Sequence, residues 1–321
     1  LKRPVLLIAF YYWPTVAAGV VRPGHFAKYL TRMGYPVQVL TSAPPSPRGT
    51  VPGEVIHVRD INRLLNNRHP LRLFERVLRR TLFPHDESFI WNFAAVEAAD
   101  RVVRQQPNHC VISTFPTVNT HIVALRLKRR YPSIRWIADF RDPMAYAPGR
   151  IASNAKNPLG WISARTDILL ERYIMNHADV VVANTPAVHE AWQKLYPHLA
   201  HKLHCIMNGI DAEDMAPVPA LPVRDYQVIT HTGEIYSERK PTRLLASVAR
   251  LIDNGRLDPA KLRIKLVGGL EPGILPEALA TRLVASKTLY YDGASVPWAE
   301  AHRQLCESDY QLLLDVAVGA V

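Results

Sequence analysis

Asp139-Phe-Arg-Asp-Pro143 gathers two carboxylates and a guanidinium directly after an apolar segment that ends at Ala138. Carboxylate acceptors and an arginine donor suit the hydroxyls of a sugar, and they also suit one another. Asp139, Arg141 and Asp142 therefore read either as a ligand-facing trio or as an ion pair that fixes the loop before Pro143. A second group, Gly233-Glu-Ile-Tyr-Ser-Glu-Arg-Lys-Pro241, joins a glycine turn to Arg239 and Lys240 at the start of an expected helix. Charge and the helix dipole suit a diphosphate there, a solvated basic turn being the plainer alternative. The third group is Gly19 with Arg22, where a small-residue loop can bring backbone N–H groups and a helix N-terminus against a phosphate. G-x-G-x-x-G is absent, so a plain βα turn fits these residues as well as a phosphate cradle does. No Asp-x-Asp pair stands at a strand end, and neither a cofactor nor a metal is expected.

These residues need elements to hold them. Val5-Leu-Leu-Ile-Ala-Phe10 is a continuous apolar run of the kind found in a strand buried on both faces. The loop 11–21 follows it. A helix is expected from near Arg22, with Phe26, Tyr29, Leu30 and Met33 at helical spacing, and Val37–Thr41 reads as the next parallel strand. Strands are then expected at 109–114, 134–138, 179–184 and 203–207, with helices at 117–130 and 162–176 between them. Thr185 is a plausible N-cap with Pro186 in the first turn. A proline-rich linker, 216–223, precedes a second alternation: strands at 228–232, 262–267 and 310–314, helices at 241–253 and 275–286. The fold expected is α/β, with two Rossmann-like doubly wound domains, 1–215 and 216–321, facing a cleft. Ligands in such folds sit beyond the carboxyl ends of the strands, where all three groups fall.

Composition narrows the class. The chain has 321 residues and a formal net charge of +11, which invites an anionic partner. No apolar run approaches the length of a membrane span, and no cleavable leader is read before Val5. Three scattered cysteines argue against a disulfide framework and fit a reducing cytoplasm. The segment 63–82 carries Arg63, Arg68, Arg72, Arg76, Arg79 and Arg80 against Glu75 alone, with Leu71, Phe74, Val77, Leu78 and Leu82 as an apolar side. It reads as a basic amphipathic helix for anionic lipid headgroups, with Arg72, Arg76, Arg79 and Arg80 in contact, or as an ordinary surface helix. No nucleic-acid motif accompanies these arginines, and no nucleic-acid partner is expected.

The order of A-A-G-V-V-R, D-F-R-D-P, L-E-R-Y, A-D-V-V-V-A-N-T-P, I-M-N-G-I-D and H-T-G-E-I-Y resembles the retaining GT-B glycosyltransferases of family 4. Within that family it is most similar to the bacterial branch that makes cell-surface polysaccharides. The resemblance spans nearly the whole chain. It implies a nucleotide-sugar donor held mainly by the C-terminal domain, an acceptor held mainly by the N-terminal one, and metal-independent transfer with retention. Residue by residue, it implies that Gly19 approaches the donor diphosphate, that Arg141 and Asp142 stand near the transferred sugar, and that Lys240 neutralises the leaving diphosphate. Some positions depart from the branch. Ala18 replaces a glycine, Met144 stands where Trp is usual, and Glu234 follows the glycine where many relatives have Arg. The E-x7-E motif that would hold the donor is not found before Val321, so the C-terminal domain is expected to be incomplete.

The expectation is thus a cytoplasmic glycosyltransferase, peripheral at the inner face of the plasma membrane. It would act on a lipid-linked or polysaccharide acceptor. A non-catalytic GT-B-like scaffold of a glycan-assembly complex is the alternative.

Overall fold

The computed structural model describes residues 2–15, 18–45, 51–61, 69–71, 74, 88–106, 109–145, 158–215, 223–236, 239–294 and 296–314. The chain forms two compact units that divide after Gly209. In the first, β1 (Val5–Ala9), β2 (Val37–Thr41), β3 (Glu54–His57), β4 (Cys110–Thr114), β5 (Arg135–Phe140), β6 (Val180–Ala183) and β7 (Leu203–Cys205) make one sheet. All neighbours are parallel, in the order β3-β2-β1-β4-β5-β6-β7. Every residue of β1 is buried, as a central strand covered on both faces requires.

Helices α1 (Ala18–Arg32), α2 (Phe89–Gln105), α3 (Val118–Arg130), α4 (Pro158–His177) and α5 (Pro186–Leu195) cover the sheet. On one face Leu6, Ile8, Trp91, Leu127, Trp136 and Ile174 share a core. On the other, Leu7, Tyr12 and Val39 pack with Ala27 of α1. Alternate residues of β1 thus feed opposite layers, which makes this domain doubly wound. The strand order reverses between β1 and β4, and the loops after them open at the switch point where such folds place ligands.

Several boundaries differ from the sequence expectation, among them the start of α4 at Pro158 rather than Ile162 and the end of the strand from Tyr310 at Gln311 rather than Leu314. Helix α1 starts at Ala18 rather than near Arg22, so Gly19 lies in its first turn. Pro23 lies inside the helix, in its second turn. Strand β5 runs on through Asp139 to Phe140, which puts Asp139 inside the sheet. Strand β7 stops at Cys205 and leaves Ile206 and Met207 exposed. Strand β3 and helix α2 occupy stretches to which the sequence pattern assigned nothing. The segment expected at 63–82, including Arg72, Arg76, Arg79 and Arg80, lies outside the described residues apart from 69–71 and 74.

The second unit holds a smaller parallel sheet in the order β10-β9-β8-β11. Its strands are β8 (Gln227–Thr232), β9 (Leu262–Val267), β10 (Leu289–Tyr291) and β11 (Tyr310–Gln311). Helices α6 (Thr242–Asp253), α7 (Glu277–Ala285) and α8 (Trp298–Cys306) accompany it, and Leu245, Ile264, Leu266, Leu283 and Leu289 form its core. Here the order reverses at β8, between β9 and β11. Among the described residues no helix is long and apolar enough to cross a membrane.

Candidate active site

Asp139 and Arg22 hold each other. The Arg22 Nη2 donates to Asp139 Oδ1 at 2.7 Å and its Nε to Oδ2 at 2.9 Å, the two-pronged geometry a guanidinium offers a carboxylate. The two side chains are 5% and 1% exposed, so the pair is sealed from solvent. Thr114 Oγ1 donates to Asp139 Oδ2 at 2.7 Å, and Arg22 Nη1 donates to Asn208 Oδ1 at 3.2 Å. The Arg22 guanidinium also lies over the Phe26 ring. This clamp ties the end of β5 to α1, to β4 and to the Asn208 turn. Asp139 thus pairs with Arg22 of α1 and not with Arg141 of its own group. Arg22, expected to face a donor, faces the protein interior.

Arg141 and Asp142 sit just beyond the clamp, off the end of β5. Asp142 is exposed and Arg141 half-buried. Arg141 Nη1 donates to the carbonyl oxygen of Gly19 at 3.0 Å. The reason is local: Pro23 has no N–H to give the carbonyl four residues earlier in α1, and Arg141 takes the vacant place. A Cβ built on Gly19 would lie 3.5 Å from the Tyr11 ring and 3.7 Å from Arg141 Nη1, both ordinary contacts. Packing within the chain therefore does not demand glycine there. Burial pulls the Arg141 guanidinium below its usual range, while the carboxylates of Asp142 and Asp139 pull it back up.

Two further residues fix this loop from behind. Asn184 Nδ2, at the end of β6, donates to the Arg141 carbonyl at 3.0 Å. Glu171, fully buried on α4, accepts from the backbone N–H groups of Met144 at 2.8 Å and Ala145 at 3.0 Å, and from the Tyr196 hydroxyl at 3.2 Å. Burial raises the Glu171 carboxyl above the usual carboxylate range, against those three hydrogen bonds. Neither residue was singled out from the sequence as part of the site. The signal was present only as membership of the L-E-R-Y and A-N-T-P motifs, since no periodicity distinguishes a buried loop anchor from any other polar residue.

In the second unit, Gly233 follows β8 with a φ of +134°, a conformation open to glycine and costly for other residues. Its turn is braced by the next loop. Gly233 N–H donates to Val267 O at 2.9 Å, and Ile235 N–H donates to Gly269 O at 2.9 Å. The backbones approach so closely that a Cβ on Gly268 would stand 2.3 Å from Gly233 O. Arg239 and Lys240 are exposed ahead of α6, with the Arg239 guanidinium over the Tyr236 ring. His231 Nδ1 is 3.0 Å from Leu312 O, which fastens β8 to the chain after β11. Among the described residues no group of three or more His, Cys, Asp or Glu is placed to hold a metal ion.

Comparison with known structures identifies the architecture as GT-B. The chain is similar to an alpha,alpha-trehalose-phosphate synthase (UDP-forming) from Burkholderia vietnamiensis, at 11% identity over 97% of this chain and 76% of that one, with a TM-score of 0.59. It is similar to WaaG, a glycosyltransferase involved in lipopolysaccharide biosynthesis, at 13% identity over 96% and 74%, TM-score 0.54. It is also similar to S. aureus MnaA, solved with UDP, at 12% identity over 97% and 73%, TM-score 0.53. No curated protein matches the chain in sequence. Glycosyltransferase family 4 does match as a family, over residues 22–214, and the chain belongs to it. The protein is a glycosyltransferase.

Proposed function

We propose that the protein is a retaining glycosyltransferase of bacterial cell-surface glycan synthesis. It moves a sugar from a nucleotide-sugar donor to a lipid-linked or polysaccharide acceptor, in the cytoplasm and peripherally at the inner face of the plasma membrane. The observation that carries the reading is the way Arg141 and Asp142 are presented. A buried ion pair fixes the strand end beneath them, Asn184 and Glu171 fix the backbone around them, and the Asp142 carboxylate is left open at the end of β5. A preorganised charged pair of this kind binds sugar hydroxyls without having to be ordered at the moment of reaction.

Donor binding is assigned to 216–321 and acceptor binding to 1–215. Departure of the nucleoside diphosphate builds negative charge on its terminal phosphate. Lys240, Arg239 and the N-terminus of α6 supply positive potential for that charge, and Gly19, without a side chain, leaves room at the start of α1. The leaving phosphate takes the proton of the acceptor hydroxyl on the face from which it departs, so Asp142 positions the sugar and need not act as a nucleophile. Support for a nucleotide donor comes from the UDP held by MnaA and from the UDP-forming synthase. WaaG supports the surface-glycan role. Incubating the protein with a panel of radiolabelled nucleotide sugars and bacterial lipid extract tests the reading: label should pass to the lipid or glycan fraction from one donor. Label that stays in every donor would refute it.

A further inference from the structure

Helix α4 presents two unlike faces. Its inward side, with Ser163, Asp167, Glu171, Ile174 and Met175 buried at helical spacing, packs on the sheet and holds the loop after Asp142. Its outward side exposes Trp161, Ile162, Ile168, Leu169 and Tyr173, with Trp161 at 56% and Leu169 at 66%. A solvated helix face normally carries polar residues and charges of both signs. Here the only charged residues exposed on that side are Arg165 and Arg172, and both carboxylates of the helix, Asp167 and Glu171, are turned inward.

The detail of the face fits a lipid interface. The Arg165 guanidinium lies over the Trp161 ring, 4.9 Å from its centre. An amphipathic indole beside an arginine with an aliphatic stem suits the level of the headgroups, while Leu169 and Ile168 suit the region just beneath. From 161 to 173 the patch runs about 18 Å along the helix. The same layer repeats the theme on α2 and α3, where Arg126 lies over the exposed Phe93 ring. A second copy of this chain would bring Arg165 and Arg172 against their own counterparts, on a molecule whose net charge is already +11. An anionic bilayer offers the complementary charge together with a place for the apolar side chains.

We infer that the outward face of α4 is a docking surface for an anionic lipid bilayer. The inference rests on the membrane-peripheral reading above and assigns that contact to a surface other than the segment 63–82. The helix then meets lipid with one face and holds the Met144–Ala145 backbone with the other, which sets the Asp142 loop within a helix diameter of the bilayer.

The test is sedimentation with vesicles of phosphatidylglycerol and phosphatidylcholine, and with phosphatidylcholine alone, at low and high salt. Three variants are compared with the parent: Arg165→Glu with Arg172→Glu, Trp161→Ser with Leu169→Ser, and the fourfold change of Arg72, Arg76, Arg79 and Arg80 to Glu. Both α4 variants should bind the anionic vesicles at least tenfold more weakly, with unchanged thermal unfolding because the altered side chains are exposed. Lipid brominated in the acyl chains should quench the parent's fluorescence more than that of Trp161→Phe at equal bound fraction. Parent binding that survives both α4 variants but not the fourfold change overturns the α4 assignment and leaves the peripheral reading standing. A parent that ignores anionic vesicles overturns both, and self-association lost in the α4 variants would then give this face to a second copy.

Discussion

At the scale of single residues, two aspartates three positions apart have opposite fates. Asp139 lies inside β5, bonded to Arg22 and Thr114, and removing its charge would strand a buried guanidinium. Asp139→Ala should cost about 3–5 kcal/mol of unfolding free energy, as loss of one partner of a buried pair does. Asp142 is exposed, so Asp142→Asn should leave the urea midpoint unchanged while impairing transfer per folded molecule. A sharp fall in stability for Asp142→Asn would reverse these roles. Gly19 gives a second separation of site from scaffold. The Cβ of Gly19→Ala meets only ordinary contacts, and alanine is worth up to about 1 kcal/mol over glycine in a helix. The variant should therefore be as stable as the parent or slightly more so, with a raised KM for the donor. An unchanged KM would remove Gly19 from the donor site.

At the scale of elements, α4 supports the site loop through one carboxylate. Glu171→Ala would leave the Met144 and Ala145 N–H groups without their acceptor, at about 1–3 kcal/mol for each unsatisfied group, whereas Glu171→Gln keeps an acceptor oxygen. The sign of the pH effect follows from burial. The folded protein holds the Glu171 proton at a higher pH than the unfolded chain, whose carboxyl titrates near about 4.3. Between those two values the folded state binds more protons, so this group's contribution to stability falls as pH rises through the window. Glu171→Gln should flatten that part of the stability–pH curve, measured by urea unfolding from pH 4 upward. A curve identical to the parent's would contradict the assignment. The elements legible in the sequence were those with a strong residue pattern, the continuous apolar run of β1 and the β-branched or alternating residues of β8 and β9. The edge strand β3 has four residues and none fully buried, so it carried no such signal. Helix α1 starts four residues before the expected Arg22 because Ala17-Ala18-Gly19 read as loop, and the Gly19 carbonyl that Pro23 leaves without a donor is taken by Arg141, far away in sequence. For the same reason the D-F-R-D-P group was legible as a place, while the division of labour within it was not. Burial of Asp139 depends on β5 continuing to Phe140 between β4 and β6, a matter of sheet order that local residue types do not encode.

At the scale of the whole molecule, two parallel sheets set their glycine turns and charged groups at strand ends, and the family assignment makes the protein a glycosyltransferase. Lys240 is exposed ahead of α6, so Lys240→Ala should fold normally and lose about 10² in turnover if it stabilises the departing diphosphate. Equal turnover in mutant and parent would remove it from the mechanism. Retentive transfer from a nucleotide sugar is the central claim, and the stereochemistry of the product tests it most directly. With the donor selected from the labelled panel, proton NMR of the early product should show the anomeric configuration that the sugar had in the nucleotide sugar. A product of inverted configuration would contradict the account.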